Sequence, residues 1–192
     1  MVEETLDLEV QVELVSLARD ICKLAPLYKA EMPRTGQPFT YLQTGAGWGW
    51  TSGHGGGYRY QRTHPLTRQE LPPIPPLMLA IAERHRLQAD SLLINWYPPG
   101  ASLGLHQDKD EKDLSAFIVS ISLGDHGKFL LGGLTRKEPT EEIELSSGDV
   151  LVLEGSDRMR FHGLKMVLPN SCIYTGLLKD HGRINLTLRK SQ

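Results

Sequence analysis

A histidine and an aspartate lie two residues apart in the segment LGLHQDKDE, which spans residues 103–111. If this segment is a strand, His106 and Asp108 project to the same face, because side chains alternate with a period of two. Imidazole and carboxylate groups are both common metal ligands. A solvated charged loop is an equally simple interpretation, since an isolated H-x-D pair is weak evidence. A mononuclear metal site also needs a third ligand from elsewhere in the chain.

His162 is the histidine best placed to complete such a site. It lies in RMRFHGL, a strand candidate that follows the apolar segment DVLVLEG, so it is either a hydrogen-bonded core residue or a ligand. With His106 and Asp108 it would form a two-histidine, one-carboxylate face, which suits non-haem Fe(II) that must still bind a cosubstrate and oxygen. A zinc hydrolase could use the same three ligands around a water molecule. The other histidines lie in turn, glycine-rich or unpatterned sequences: His54, His64, His85, His126 and His181.

The segment RINLTLRK could supply an anion-binding site. As a strand it places Arg183, Asn185, Thr187 and Arg189 on one face and apolar residues on the other. An amphipathic strand with a solvated face explains this pattern equally well. Alternatively, two guanidinium groups bind a dicarboxylate through their planar donors. An oxygenase that uses 2-oxoglutarate needs such a cation, because the keto-acid end chelates iron and leaves the distal carboxylate unpaired.

The second half of the chain predicts the sheets that must position these residues. From residue 92 onward, short segments rich in branched and aromatic residues alternate with turn signals, without intervening helices. The pattern predicts a mainly β fold with flanking helices, in which antiparallel sheets form a jelly roll or a barrel. The predicted strands are LLINWY, FIVSISL, KFLLGG, EEIELSS, DVLVLEG, RMRFHGL, CIYTGLL and RINLTLRK.

The first half predicts two helices with an irregular tract between them. From Leu8 onward, apolar residues recur every three to four positions, which predicts a helix to about Lys29. Pro76 is well placed to open a second helix through about Arg86. Residues 45–57 hold seven glycines, so we expect neither a firm helix nor a firm strand there. Four aromatic residues lie within or just after this tract: Trp48, Trp50, Tyr58 and Tyr60.

The composition is typical of a globular protein of one domain. A length of 192 residues is typical of one domain. The net charge of −2 and the pI near 6.4 argue against a protein that coats nucleic acid non-specifically. No apolar run approaches the roughly 20 residues that cross a bilayer, and the acidic first residues lack the layout of a signal peptide. Cys22 and Cys172 match no zinc spacing and are typical of reduced thiols. We therefore expect a cytoplasmic monomer that does not bind membranes.

Several segments, taken in order, resemble the AlkB family of Fe(II)- and 2-oxoglutarate-dependent dioxygenases, and most closely its bacterial alkylation-repair members. They are NWYPPGASLGLHQDKDE, GGLTRKE, SGDVLVLEG followed by FHGL, and RINLTLR, within roughly residues 41–190. The resemblance implies the family's double-stranded β-helix, which agrees with the predicted strands. It implies that His106, Asp108 and His162 hold iron. It also implies a set of cosubstrate residues, in which Arg183 pairs with the distal carboxylate: Asn95, Tyr97, Arg183, Asn185 and Arg189.

The resemblance also implies a reaction. Iron, oxygen and 2-oxoglutarate would together hydroxylate an N-methyl group on a damaged base, with succinate, CO2 and then formaldehyde as products. The expected lesions are 1-methyladenine and 3-methylcytosine in single- or double-stranded DNA, or in RNA, and the damaged base must leave the stack. A methylated tRNA or protein is an alternative substrate. A non-catalytic jelly roll that binds nucleic acid is an alternative class.

The aromatic tract resembles the family's nucleotide-recognition lid. Within one domain of residues 1–192, the resemblance places the lid and a helix at about 41–90 and the catalytic core at 91–190. One ring would stack on the base, which contributes about 1–3 kcal/mol, and the local match G-W-T favours Trp50 over Trp48. The aromatic residues could instead simply cap the barrel. The positions implied to contact the substrate are Trp50, Tyr58, Tyr60, Asp110 and Arg136.

Overall fold

The computed structural model describes residues 1–174 and 176–192, and most of its regular structure is β-strand. Two helices precede the central strands, and a short 3-10 turn spans Gly155–Asp157. The elements are β1 (Val2–Thr5), α1 (Leu8–Leu24), β2 (Leu42–Gly47), β3 (Gly49–Gly53), β4 (Gly57–Gln61), α2 (Pro76–Arg84), β5 (Ser91–Tyr97), β6 (Leu103–His106), β7 (Ile118–Gly124), β8 (Gly127–Leu131), β9 (Glu141–Leu145), β10 (Asp149–Leu153), β11 (His162–Val167) and β12 (Arg183–Arg189).

The strands form two main antiparallel sheets and a separate hairpin. The larger sheet has the order β1-β10-β7-β12-β5-β2, the smaller has the order β6-β11-β8-β9, and β3 pairs with β4 alone. Both helices pack their buried residues against the larger sheet, in one core that includes Leu186 and Leu188 of β12. A second buried cluster, which includes Phe129 and Leu153, joins residues of both sheets. The predicted mainly β jelly roll with flanking helices is confirmed.

Strand β12 lies at the centre of the larger sheet and presents two different faces. It pairs with β5 on one side and β7 on the other, so that Arg183 lies opposite Tyr97 and Asn185 opposite Asn95. The leucines that alternate with these polar residues point into the helix-covered core. The predicted alternation along β12 is confirmed, but the polar face lines a pocket rather than open solvent.

Both helices end earlier than the sequence predicts. Helix α1 stops at Leu24 instead of Lys29, because the next residue but one is Pro26, which disfavours helical geometry before it. Helix α2 stops at Arg84, and Arg86 adopts a left-handed φ of 60°. The first turns of α1 also leave Val12 about half exposed. No helix in the described part of the chain is long and apolar enough to cross a membrane.

The glycine-rich tract forms strands, contrary to the sequence expectation. It contributes to β2, β3 and β4, and its glycines permit unusually close packing. A Cβ atom on Gly45 would lie 2.7 Å from the carbonyl oxygen of Leu92, and one on Gly49 would lie 2.5 Å from Cδ1 of Leu71. At these two positions glycine is therefore required for close approach.

The predicted strand CIYTGLL is wrong. Its described residues, 172–174 and 176–178, form bends and turns between β11 and β12, and residue 175 lies outside the described residues. The buried carboxylate of Asp125 accepts hydrogen bonds from the backbone N–H groups of Ser171, Cys172 and Gly182. A side chain thus satisfies backbone donors that a neighbouring strand would otherwise pair.

Candidate active site

Two histidines face each other where β11 pairs with β6. His162 is the register partner of His106, and their ring centroids are 4.5 Å apart. Nδ1 of His106 lies 3.0 Å from the carbonyl oxygen of Gly104, and Nδ1 of His162 lies 3.1 Å from that of Arg160. Because a carbonyl oxygen only accepts, each Nδ1 must donate, which leaves each Nε2 lone pair free for a metal.

Asp108 completes a three-residue cluster from just beyond the end of β6. Its carboxylate oxygens lie 3.7 Å from Nε2 of His106 and 3.6 Å from Nε2 of His162. The potential ligand atoms of the three residues all lie within 4.8 Å of one another. Nη2 of Arg189 donates a 2.8 Å hydrogen bond to Oδ2 of Asp108 and orients the carboxylate. The structure therefore brings together the three residues expected from the sequence.

The charges of this cluster suit a divalent metal ion. Burial, together with the neighbouring His162, lowers the pKa of His106 to about 4, so its imidazole is neutral at pH 7. Burial would raise the pKa of Asp108, but Arg189 and the two histidines outweigh it and hold that pKa well below its usual range. Metal binding requires these protonation states, and two imidazoles with one carboxylate fit non-haem Fe(II). Within residues 1–174 and 176–192 no second cluster of this kind occurs.

A pocket of about 560 Å³, counting its open mouth, extends from this cluster between the two sheets. The candidate metal ligands share its wall with hydroxyl, amide and guanidinium groups from the central strands. The polar lining beyond the cluster comprises Asn95, Tyr97, Ser120, Arg183, Asn185, Thr187 and Arg189.

Arg183 is a buried cation without an anion beside it. Its side chain is 4% exposed, and Nη2 donates to Oγ of Ser122 at 2.8 Å. No carboxylate of the described residues lies within 4.0 Å of its guanidinium, and its Nε has no hydrogen-bond partner. Burial lowers the pKa of Arg183 to about 10, so it is still charged at pH 7. Because burying an unpaired charge is costly, a carboxylate ligand here would relieve that cost.

The polar groups that line the pocket beside Arg183 form some hydrogen bonds with one another. Nδ2 of Asn95 donates to the hydroxyl of Tyr97 at 3.2 Å, whereas Oδ1 of Asn95 is buried without a partner. Burial raises the pKa of Tyr97 to about 12, so its phenol stays protonated and can donate. Asn185 donates to Oγ of Ser120 and accepts from Oγ1 of Thr187, which fixes its amide.

The hairpin of β3 and β4 contacts the segment that follows Asp108 through two of its aromatic residues, Trp50 and Tyr60. Trp50 stacks on Tyr58 with 5.4 Å between ring centroids, and its Nε1 donates a 2.8 Å hydrogen bond to Oδ2 of Asp110. The hydroxyl of Tyr60 instead points inward, where it donates to Oε1 of Glu111 at 2.5 Å. Trp50 and Tyr58 thus offer rings at the surface, while Tyr60 connects the hairpin to the interior.

The remaining sequence-predicted positions lie around this centre. The guanidinium of Arg136 lies 4.9 Å above the ring of Phe161 and donates to the carbonyl of Leu105, beside the cluster. Trp48 packs under the guanidinium of Arg62, whereas Trp50 is the tryptophan that donates to Asp110. The other histidines with assigned partners bond elsewhere: His64 to Pro26, His85 to Glu4 and His126 to Glu144.

Three buried residues of the site were missed by the sequence reasoning. Ser122 fixes Arg183, and Glu111 and Arg158 form a buried ion pair at 3.2 Å behind Asp108. Glu111 belongs to the charged segment LGLHQDKDE, residues 103–111, where a glutamate is expected to be solvated. Its partners lie far away in the sequence, so no local pattern could have signalled its burial.

A two-histidine, one-carboxylate cluster beside a pocket with a buried cation defines a class of iron enzyme that binds an anionic cosubstrate. The family model described as the 2OG-Fe(II) oxygenase superfamily matches residues 5–189. Zinc hydrolases and non-catalytic binding modules are thereby disfavoured.

Similar proteins narrow this class. An alpha-ketoglutarate-dependent dioxygenase AlkB homolog of Caulobacter vibrioides is 44% identical over 161 residues, which cover 82% of this chain and 71% of that protein. The AlkB dioxygenase of Escherichia coli K12 is 36% identical over 187 residues, which cover 93% and 84%. The solved structure of OsALKBH1 superimposes with a TM-score of 0.78 at 29% identity, over 96% and 94% of the two chains. The chain belongs to the AlkB family and is an Fe(II)- and 2-oxoglutarate-dependent dioxygenase that uses O2.

Proposed function

We propose that this dioxygenase removes N-linked methyl groups from bases of the 1-methyladenine and 3-methylcytosine type in DNA, and that RNA is a second substrate. His106, Asp108 and His162 would hold Fe(II). The observation that carries the proposal is the position of this cluster in the same pocket as the unpaired Arg183 cation. When bound, the iron supplies oxidative chemistry that couples decarboxylation of 2-oxoglutarate to hydroxylation of the methyl group.

The chain's own residues bind and orient the cosubstrate. Arg183 pairs with the distal carboxylate through its planar donors, and the Ser122 hydroxyl holds that guanidinium in place. The phenol of Tyr97 and the amide of Asn95 supply further hydrogen bonds along the pocket wall. Arg189 keeps the carboxylate of Asp108 ionised and directed at the two histidines.

The hairpin would bind the damaged base. Trp50 would stack on the base, and its ring is held in a fixed orientation because it already stacks with Tyr58 at 5.4 Å and with Phe39 at 6.5 Å between ring centroids. Asp110 lies within hydrogen-bonding distance of Trp50 and supplies a negative charge, which favours a base made cationic by methylation. Arg136 would contact the substrate from the opposite side. Excess positive charge on the base thereby becomes a recognition feature.

Anaerobic reconstitution tests the proposal. The protein is loaded with Fe(II) and 2-oxoglutarate and mixed with methylated DNA or RNA oligonucleotides. Air is then admitted, and succinate and the oligonucleotide mass are measured. We expect succinate together with a decrease of one CH2 unit in the oligonucleotide mass, because N–CH3 becomes N–H. His162→Ala should form neither succinate nor the demethylated oligonucleotide. The control is His126→Ala, a histidine bonded to Glu144 outside the cluster. Demethylation by His162→Ala at the wild-type rate, or none by the wild type, would refute the proposal.

We also propose that residues 1–192 form one domain that works as a cytoplasmic monomer. Strand β2, from the lid region, pairs with β5 of the proposed core, which supports a single domain. Cys22 and Cys172 are both free, as is usual for a reducing compartment. Light scattering after gel filtration measures the mass in solution, and a dimer would contradict the monomer.

A further inference from the structure

A buried guanidinium lies directly behind the metal cluster. It belongs to none of the proposed metal ligands or substrate residues. Arg158 follows the 3-10 turn at Gly155–Asp157, and its side chain is 3% exposed. It precedes His162 by four residues, so it belongs to the segment that leads into one candidate ligand.

The contacts of Arg158 converge on the segment that carries another candidate ligand. Nη1 donates to the carbonyl oxygen of Asp108 at 2.7 Å, and Nε donates to that of Ala116 at 2.8 Å. Nη2 donates to the carboxylate of Glu111 at 3.2 Å. One planar side chain therefore holds residues 107–116, here called the ligand loop, at three points.

The ligand loop has little other support from the backbone. Neither a helix nor a strand occurs within it. Outside the strands, its backbone amides donate two long hydrogen bonds to described backbone carbonyls, from Lys112 to Ser191 at 3.3 Å and from Ala116 to Asp113 at 3.4 Å, and the amide of Ser115 donates within the loop to Oδ1 of Asp113 at 2.9 Å. His106 and His162, by contrast, lie in paired strands. The sheet fixes the two histidines, so the third candidate ligand needs a separate anchor.

Charge within this region is balanced. The guanidinium groups of Arg158 and Arg189 face the carboxylates of Asp108 and Glu111, and all four side chains are buried. Glu111 contacts both arginines, with 3.6 Å between its Oε1 and Nε of Arg189. Pairing of this kind offsets the cost of burying these charges.

We propose that Arg158 is a positioning residue for the metal site, which acts by holding the backbone of Asp108 at the correct distance from the two histidines. The inference rests on the proposed role of Asp108 as a ligand. Glu111 assists by neutralising Arg158 and Arg189. Neither Arg158 nor Glu111 lines the pocket that holds the candidate metal ligands.

Binding of Co(II) to the full chain tests the positioning role of Arg158 without catalytic turnover. Arg158→Lys keeps the charge, but a single ammonium group cannot reach three acceptors. We expect its Kd for Co(II) to rise about 10- to 100-fold, as for other supports of metal ligands, with a changed visible absorption spectrum at saturation. The matched control is Arg160→Lys, because that guanidinium bonds Asp157, Glu141 and the Gly132 carbonyl on the outer side. Its Kd should equal that of the wild type.

A double-mutant cycle separates positioning from general stability. In an Asp108→Ala background, Arg158→Lys should not weaken Co(II) binding further, because the carboxylate that Arg158 positions is gone. Equal losses in both backgrounds, or an unchanged Kd in Arg158→Lys, would overturn the inference. If circular dichroism shows that Arg158→Lys does not fold, Glu111→Gln replaces it in the same cycle. Its Kd for Co(II) should rise about tenfold. A wild type that binds Co(II) no better than His106→Ala would instead refute the proposed metal site.

Discussion

Replacement of Arg183 by lysine tests the proposed carboxylate anchor quantitatively. The guanidinium has five N–H donors, of which Nη2 is used by Ser122 and Nε has no partner in the described structure. Lysine keeps the charge but loses the planar pair of donors, and hence at least one charge-assisted hydrogen bond to the cosubstrate. Such a bond contributes about 1.5–3 kcal/mol, which corresponds to a rise in KM for 2-oxoglutarate of about 10- to 150-fold.

The assay measures succinate formation as a function of 2-oxoglutarate concentration, with the methylated oligonucleotide held at saturation. Arg183→Lys should raise KM far more than it lowers kcat, because chemistry at saturation does not depend on the distal carboxylate. Arg160→Lys makes the same change at a guanidinium outside the pocket and should leave KM unaltered. An unchanged KM in Arg183→Lys would remove this residue from its proposed role.

Three further changes probe the hairpin and the core. Trp50→Ala should weaken binding of every methylated oligonucleotide by about 1–3 kcal/mol in fluorescence anisotropy, with 2-oxoglutarate turnover in the absence of oligonucleotide retained; equal affinity would mean that the ring only packs. Asp110→Ala should change the ratio of kcat/KM between methyladenine and methylcytosine strands, and an unaltered ratio would exclude it from base selection. Leu186→Ala should lower the free energy of unfolding by about 2–5 kcal/mol in urea, whereas the half-exposed Val12→Ala should change it by under about 0.5 kcal/mol. Similar values for these two variants would contradict the assignment of the core.

The sequence predicts the cluster and the polar face of β12 because both depend on strand periodicity. Alternation places Arg183 and Asn185 together whatever the partner strands are, and the ladder then brings His106 opposite His162. Asp108 reaches the same point although β6 ends before it, since Arg189 and Arg158 hold it there. The sequence predicts that Asp108 lies beside His106 because it assumes that the strand continues through both residues. In the structure β6 ends at His106.

The features that the sequence did not predict depend on distant partners. Glu111 and Arg158 are types of residue that are usually exposed, and only their mutual contact makes their burial favourable. The strands of the glycine tract were missed for a related reason. The close approach of Gly45 to the backbone of β5 is visible only once the sheet is assembled.

The separate β3–β4 hairpin has a consequence for how proteins of this design can diversify. In the described part of the chain it shares no backbone ladder with either main sheet, and it joins the interior through side chains such as Tyr60. Substitutions or insertions in the hairpin that keep Tyr60, which contacts both Glu111 and Arg189, would therefore leave the register of β12 and its neighbours intact. New substrates can be acquired by varying one module, while the oxidative chemistry is inherited unchanged.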